Sequence, residues 1–177
     1  MRFFPDWDDT NSNCVKGLIE LGFDAYEHNS KPQIWVEIGC YKAEASTIFS
    51  SFPFVKKLWT VDPFIRPHPT IMEHAVERID KIKKATLYRT TSYMFANKIK
   101  NKTLDLVYID GDHEYQFVLE DLRMWNTRLK TNGLLCGHDY SERYPDVIKA
   151  VDYFMSENPS YTIKEYCDSS FMIKRCI

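Results

Sequence analysis

The stretch from Leu104 to Tyr140, LDLVYIDGDHEYQFVLEDLRMWNTRLKTNGLLCGHDY, constrains the fold more than any other part of the chain. Leu104–Ile109 is apolar enough to be buried on both faces, as parallel strands are. It runs into Asp110-Gly111-Asp112-His113. Val118, Leu122, Trp125 and Leu129 then recur at helical spacing, and Asn132-Gly133 is the expected left-handed stop. Leu134–Gly137 reads as a second strand, ending in His138-Asp139-Tyr140. A strand, crossover helix and strand in one sheet are parallel with a right-handed connection, so both acidic turns belong to the same C-terminal edge. That edge is where open α/β sheets bind ligands. Any single Asp there has a plainer reading, as a cap for a turn or a helix N-terminus.

The rest of the chain repeats the alternation. A helix is expected from an Asn11/Ser12/Asn13 cap through Val15, Leu18 and Ile19 to a stop at Gly22. Further helices are expected at Ala43–Ser50, Ile71–Lys83, Ser92–Lys100 and Pro145–Glu157. Strands are expected at Gln33–Ile38, Leu58–Val61, Ala85–Tyr88, Tyr161–Tyr166 and Phe171–Cys176. Asp62–Thr70 carries Pro63, Pro67 and Pro69 and reads as a loop over the sheet edge. The last two strands are separated by Cys167–Ser170 alone, which implies an antiparallel hairpin closing a mostly parallel sheet. The fold class is therefore α/β: a seven-stranded, mostly parallel, Rossmann-like sheet with a C-terminal antiparallel hairpin and helices on both faces.

With 177 residues the chain is expected to be a single domain, 1–177, with residues 1–10 a loose N-terminal arm. Lys and Arg total 23 against 25 Asp and Glu, a balance unlike that of a protein built to grip nucleic acid. The five cysteines are odd in number and form no CxxC pair, which predicts free thiols and a reducing, cytoplasmic compartment. Neither a signal-peptide core nor an apolar run long enough for a membrane span is present in the sequence.

In VEIGCYKAEAS a strand ends in Glu37, and Gly39 turns the chain toward a helix, a place where backbone can approach a ligand. The second strand ends in Val61-Asp62-Pro63, which puts Asp62 where a carboxylate can accept ribose hydroxyls or simply open a turn. Seven strands ending in a hairpin, with a Gly turn after the first and an acid after the second, resemble the class I S-adenosylmethionine (SAM) methyltransferases. EIG with an aromatic two residues on, IDGDHEY, and NGLLCGHDY together resemble the small methyltransferases grouped with macrocin-type sugar O-methyltransferases, over roughly Ile34 to Val151.

That resemblance implies SAM-dependent O-methylation of a small hydroxylated acceptor such as a sugar or glycoside. It places Glu37, Gly39, Tyr41, Asp62, Thr91, Ser92 and Asp110 around the cofactor, with Thr90–Ser92 on the adenine side. Tyr41 and Ala43 stand where the family often has glycines. Catechol-type relatives imply a divalent cation, Mg²⁺ or another, on Asp110 and Asp139, with Asp112 or His138 as further ligands. Transfer to a hydroxyl needs its proton removed or masked, and His113, with His138 and Asp110, is the candidate for that work. Tyr115, Tyr140, Tyr144 and Phe64 are candidates to stack an acceptor. The acceptor pocket is expected from the arm before Asn13, the Pro63–Thr70 loop, the Tyr140–Pro145 loop, or the neighbour in a homo-oligomer. Neither nucleic acid nor membrane is an expected partner. Two other classes fit the residues: a metal-dependent hydrolase using Asp110, Asp112, His113, His138 and Asp139, and a SAM- or nucleoside-binding module without turnover.

Overall fold

A computed structural model describes residues 12–65 and 69–176. In chain order the elements are α1 (Ser12–His28), β1 (Gln33–Ile38), α2 (Glu44–Ser51), β2 (Val55–Val61), α3 (Pro69–Asp80), β3 (Ala85–Tyr88) and α4 (Ser92–Ala96). There follow β4 (Leu104–Ile109), α5 (Tyr115–Asn126), β5 (Leu129–Gly137), α6 (Pro145–Glu157), β6 (Tyr161–Glu165) and β7 (Phe171–Arg175). The strands lie in the order β3-β2-β1-β4-β5-β7-β6. The first five pair in parallel, and β7 runs antiparallel to both β5 and β6. The chain winds outward from β1 to β3, then restarts at β4 on the other side of β1. The β1/β4 junction is thus the switch point at which such sheets open a crevice.

Alternation along the strands divides the core. Trp35, Leu106 and Tyr108 point toward α1 and α2, where Leu21, Ile48 and Phe49 meet them. Val36, Val107 and Ile109 point the other way, toward Val118, Leu122 and Trp125 of α5 and Val151 and Phe154 of α6. Every residue of β4 is buried, as a central parallel strand requires.

Several boundaries differ from the sequence reading. Gly22 does not stop α1; the helix runs on to His28, and a Cβ at Gly22 would lie 2.1 Å from the ring of Phe52. That glycine is a packing device, and the expected Asn11 cap lies outside the described residues. Asn132-Gly133 is not a helix stop either. α5 ends at Asn126, and β5 already begins at Leu129, paired with Leu104. Pro69 and Thr70 belong to α3 rather than to the preceding loop, since proline is tolerated in a first turn. α3 stops at Asp80 and α4 at Ala96, both short of the periodic pattern, and β2 starts earlier, at Val55. Among the described residues no helix is long and apolar enough to cross a membrane.

Candidate active site

The loop after β1 is shaped by close backbone approach. Gly39 has φ 88°, and a Cβ on it would sit 1.8 Å from the carbonyl oxygen of Asp110. Only glycine lets the ends of β1 and β4 meet this closely. Tyr41 and Ala43 also have positive φ, 47° and 60°. The two positions where the resembling family often has glycine thus keep a backbone that glycine adopts freely and other residues adopt under strain.

Asp62, at the end of β2, holds this loop. Its Oδ2 accepts the backbone N–H of Cys40 and of Tyr41, each at 3.0 Å, and Oδ1 accepts that of Phe64 at 2.7 Å. A carboxylate offers about four acceptor positions, so one remains for a ligand while these bonds stand. The simple picture of a free carboxylate waiting for two ribose hydroxyls needs this amendment. Glu37 is buried, and Ser46 Oγ and Thr60 Oγ1 both donate to its Oε2. Burial pushes its pKa to about 8; the two hydroxyl bonds pull it down, and the charges of Asp110 and Asp62 push it further up.

Beyond β2, after β3, Thr91 caps α4 by accepting the N–H of Met94 at 3.3 Å. Ser92 Oγ donates to Asp121 Oδ1 at 2.5 Å and accepts from Trp125 Nε1 at 2.8 Å. Burial raises the pKa of Asp121 to about 6, against the pull of the Ser92 bond. Asp121 was not among the expected site residues. Its signal was an acid on the stripe side of a helix that otherwise buries Val118, Leu122 and Trp125.

The ends of β4 and β5 carry the charge cluster. His113 Nε2 lies 2.5 Å from Asp139 Oδ2, and His138 Nδ1 lies 3.1 Å from Asp139 Oδ1 and 3.9 Å from Asp110 Oδ1. Asp139 has φ 61°, a conformation Asp takes more readily than most residues, and the turn it makes brings its carboxylate between the two imidazoles. The His113 ring stacks on Tyr144 with centroids 4.5 Å apart. Burial works against the ionised form of Asp139, yet the bonds and charges of both histidines hold its pKa well below the usual carboxylate range. Burial likewise opposes the charged form of His138, but Asp139 and Asp110 outweigh it and bring the pKa to about 9. The Asp139 bond raises that of His113, while burial pushes Asp110 to about 6.

Asp110, His113 and Asp139 each offer one ligand atom, all within 4.8 Å of one another. Two carboxylates and an imidazole fit a divalent transition cation better than Mg²⁺, which prefers oxygen alone. Asp112 instead turns inward on its own loop, accepting the N–H of Glu114 at 2.9 Å.

One cavity of about 1420 Å³ takes in every expected site residue, from Glu37, Gly39, Tyr41 and Asp62 through Thr91 and Ser92 to Asp110, Asp112, His113, His138 and Asp139. It is large enough for a nucleoside cofactor together with a second small molecule. Phe64 and Tyr144 also line it, whereas Tyr140 donates to Asp152 on α6 and Tyr115 packs near Tyr153 and Lys149, so neither is a stacking platform here. Tyr93 and Phe117, exposed at 68% and 48%, line it too and were missed because an aromatic at helical spacing ordinarily reads as core. Of the loops expected to shape the acceptor pocket, residues 1–11 and 66–68 lie outside the described residues.

The chain resembles known structures across nearly its whole length. A protein from Corynebacterium glutamicum matches with a TM-score of 0.71 at 10% identity, over 98% of this chain and 83% of that one. A Staphylococcus aureus structure assigned provisionally as a caffeoyl-CoA O-methyltransferase matches with a TM-score of 0.63 at 15% identity, over 96% and 85%. The spermidine synthase of Thermotoga maritima matches at 0.61 and 12%, over 86% of this chain, which spans 56% of the synthase. At such identities these likenesses establish the fold alone, and no curated protein matches the sequence. A family model described as a methyltransferase domain matches residues 36–140, from the middle of β1 through the second acidic turn. By that match and by its strand order, the chain belongs to this methyltransferase-domain family and has the class I SAM-binding fold.

Proposed function

We infer that the protein moves the methyl group of SAM to a hydroxyl of a small acceptor, with a sugar or glycoside as the acceptor class its acidic edge resembles. The observation that carries this reading is a single cavity shared by the Gly39 and Asp62 loops and by the Asp110, His113 and Asp139 cluster. The family match spans both parts, which favours transfer over hydrolysis at the Asp/His cluster alone and over a module without turnover. Bound SAM would supply a sulfonium methyl open to in-line displacement.

The chain's own groups would do the rest. Glu37, beside Gly39, faces the amino-acid end of the cofactor, and the remaining acceptor position of Asp62 takes a ribose hydroxyl. Thr91 and Ser92 flank the adenine, with Asp121 as the polar group left to accept from it. Asp139 holds His113 through Nε2, so Nδ1 is the nitrogen that takes the acceptor's proton. Tyr144 fixes the plane of that ring. His138 positions Asp139 from its other side.

A second reading is favoured by the spacing of the three ligand atoms: a divalent cation on Asp110, His113 and Asp139 would lower the pKa of the acceptor hydroxyl, and His113 would then be a ligand rather than a base. Methyl transfer to a panel of hydroxylated acceptors separates the two. With His113 as base, His113→Ala lowers turnover roughly 100-fold or more at unchanged SAM affinity, and a chelator has no effect. Loss of turnover with the chelator, restored by Mn²⁺, selects the cation. Methylation of amines but of no hydroxyl in the panel contradicts O-transfer.

A further inference from the structure

A second cavity opens at the opposite, N-terminal edge of the sheet. Its volume is about 300 Å³, and its walls include Lys102, Asn126, Lys130, Tyr161 and Arg175 over an apolar floor of Leu129, Leu135 and Ile173. A departure from regular pairing makes it. Leu129 pairs with Leu104 and Leu134 with Leu106, so the four residues Lys130–Gly133 stand against Asp105 alone. On the other side, the pairing of β5 with β7 begins only at Leu135 and Ile173; Lys174 and Arg175 pair with β6. The strands part where β5 bulges, and the gap is the cleft.

The cleft is cationic and its polar groups are organised. Lys130 Nζ bonds to Asp105 Oδ1 at 2.8 Å, and Asp105 Oδ2 accepts the N–H of Ile34, so each oxygen of this buried acid already has a partner within the fold. Among the described residues neither Lys102 nor Arg175 has a carboxylate partner. The Arg175 guanidinium lies 5.3 Å from the centre of the Tyr161 ring and donates to its hydroxyl at 3.2 Å, and that hydroxyl donates to Asn126 Oδ1 at 3.2 Å. Lys102 has φ 59°, a strained backbone for a lysine at the rim of a cavity. Arg128, beside the wall, is spent on the carbonyl of Ala96 and on Asn101.

The geometry points to an anion site in this cleft: Lys102, Lys130 and Arg175 bind a phosphate-bearing small molecule of phosphomonoester to diphosphate size. One guanidinium-bearing and two ammonium-bearing side chains line one small volume, and such groups are the ones that charge-assisted recognition of phosphate oxygens uses. The site stands apart from the methyl-transfer cavity and does not depend on the function assigned to it.

Calorimetric titration of the full chain with pyrophosphate at low ionic strength tests this. The expected result is one site per chain, weakened roughly tenfold or more by the double substitution Lys102→Gln and Arg175→Gln, as the loss of two charge-assisted bonds predicts. A second variant, Lys56→Gln with Lys57→Gln, changes lysines on β2 outside the cleft and should bind as the wild type does. Equal binding by wild type and the Lys102/Arg175 variant, equal weakening in both variants, or no binding at all overturns the proposal. A single-stranded RNA oligomer serves as the second probe. If it binds and pyrophosphate does not, the surface attracts polyanions diffusely and the small-molecule site is wrong.

Discussion

At the ends of β1 and β2 the polar groups are bonded within the fold, Glu37 to Ser46 and Thr60 and Asp62 to three backbone N–H groups. At the ends of β4 and β5 the charges are bonded mainly to one another, Asp139 to two imidazoles with Asp110 close behind. The first arrangement is a rigid cradle whose shape exists before a ligand arrives, as preorganised binding requires. The second is a set of proton-carrying groups that can exchange partners when a ligand enters. One cavity therefore joins a region built for shape to a region built for charge.

The comparison breaks most severely at Gly39. Gly39→Ala places a methyl 1.8 Å from the carbonyl of Asp110 in a positive-φ backbone, so the ends of β1 and β4 must separate. SAM binding should vanish, and thermal unfolding should show a loss of about 3 kcal/mol or more, in the range reserved for strained backbone and forced repacking. Retention of wild-type stability and affinity would mean that the two strand ends are not held by close packing.

A paired substitution sharpens the division of labour. Asp62→Asn weakens acceptance from the Cys40 and Tyr41 N–H groups, and SAM affinity should fall roughly tenfold or more, the size of a lost charge-assisted bond. Asp139→Asn keeps a residue that tolerates the left-handed backbone but removes the charge between His113 and His138. Turnover should fall by about 100-fold while SAM affinity stays within about threefold. If both substitutions act alike on affinity and turnover, the two halves are not functionally distinct.

The smallest effects belong to the cradle itself. Ala43→Gly relieves an alanine held at φ 60° and should stabilise the protein by up to about 1 kcal/mol, measured by denaturant unfolding. Glu37 titrates near 8 when folded and near 4.5 when unfolded, so the folded state binds the extra proton between those values. Its contribution is fully present below about pH 4.5 and is lost as pH rises through about 8, at up to about 1.4 kcal/mol per unit. Glu37→Gln should therefore gain on the wild type as pH rises across that window; a constant difference would contradict the buried, proton-holding carboxyl.

The frame of this division was legible in the sequence. The doubly apolar run Leu104–Ile109, the acidic turns and the four-residue link between the last strands pointed to the parallel sheet, its closing hairpin and the edge at which the large cavity opens. What was not legible depended on contacts distant in sequence. Gly22 looked like a helix stop because the ring of Phe52 that excludes a side chain there is thirty residues away in the chain. Asn132-Gly133 looked like a second stop because local chemistry does not distinguish a helix end from a bulge, and the bulge is set by Leu129 pairing with Leu104. The partners of Glu37 were missed, although a buried threonine in the apolar end of β2, LWTV, was a usable sign. Tyr41 and Ala43 hid a glycine-like turn, because residue identity alone does not reveal a positive φ.

The most direct test is calorimetry of SAM binding to the full chain at about pH 7, in two buffers of different ionisation enthalpy. If the Gly39 and Asp62 loops cradle the cofactor with its ammonium beside Glu37, one SAM binds per chain and close to one proton is released, because a cation favours the ionised form of a carboxyl that otherwise keeps its proton to about 8. Absence of binding at millimolar SAM to folded protein contradicts the cofactor assignment, and binding without proton release contradicts the placement of the ligand against Glu37.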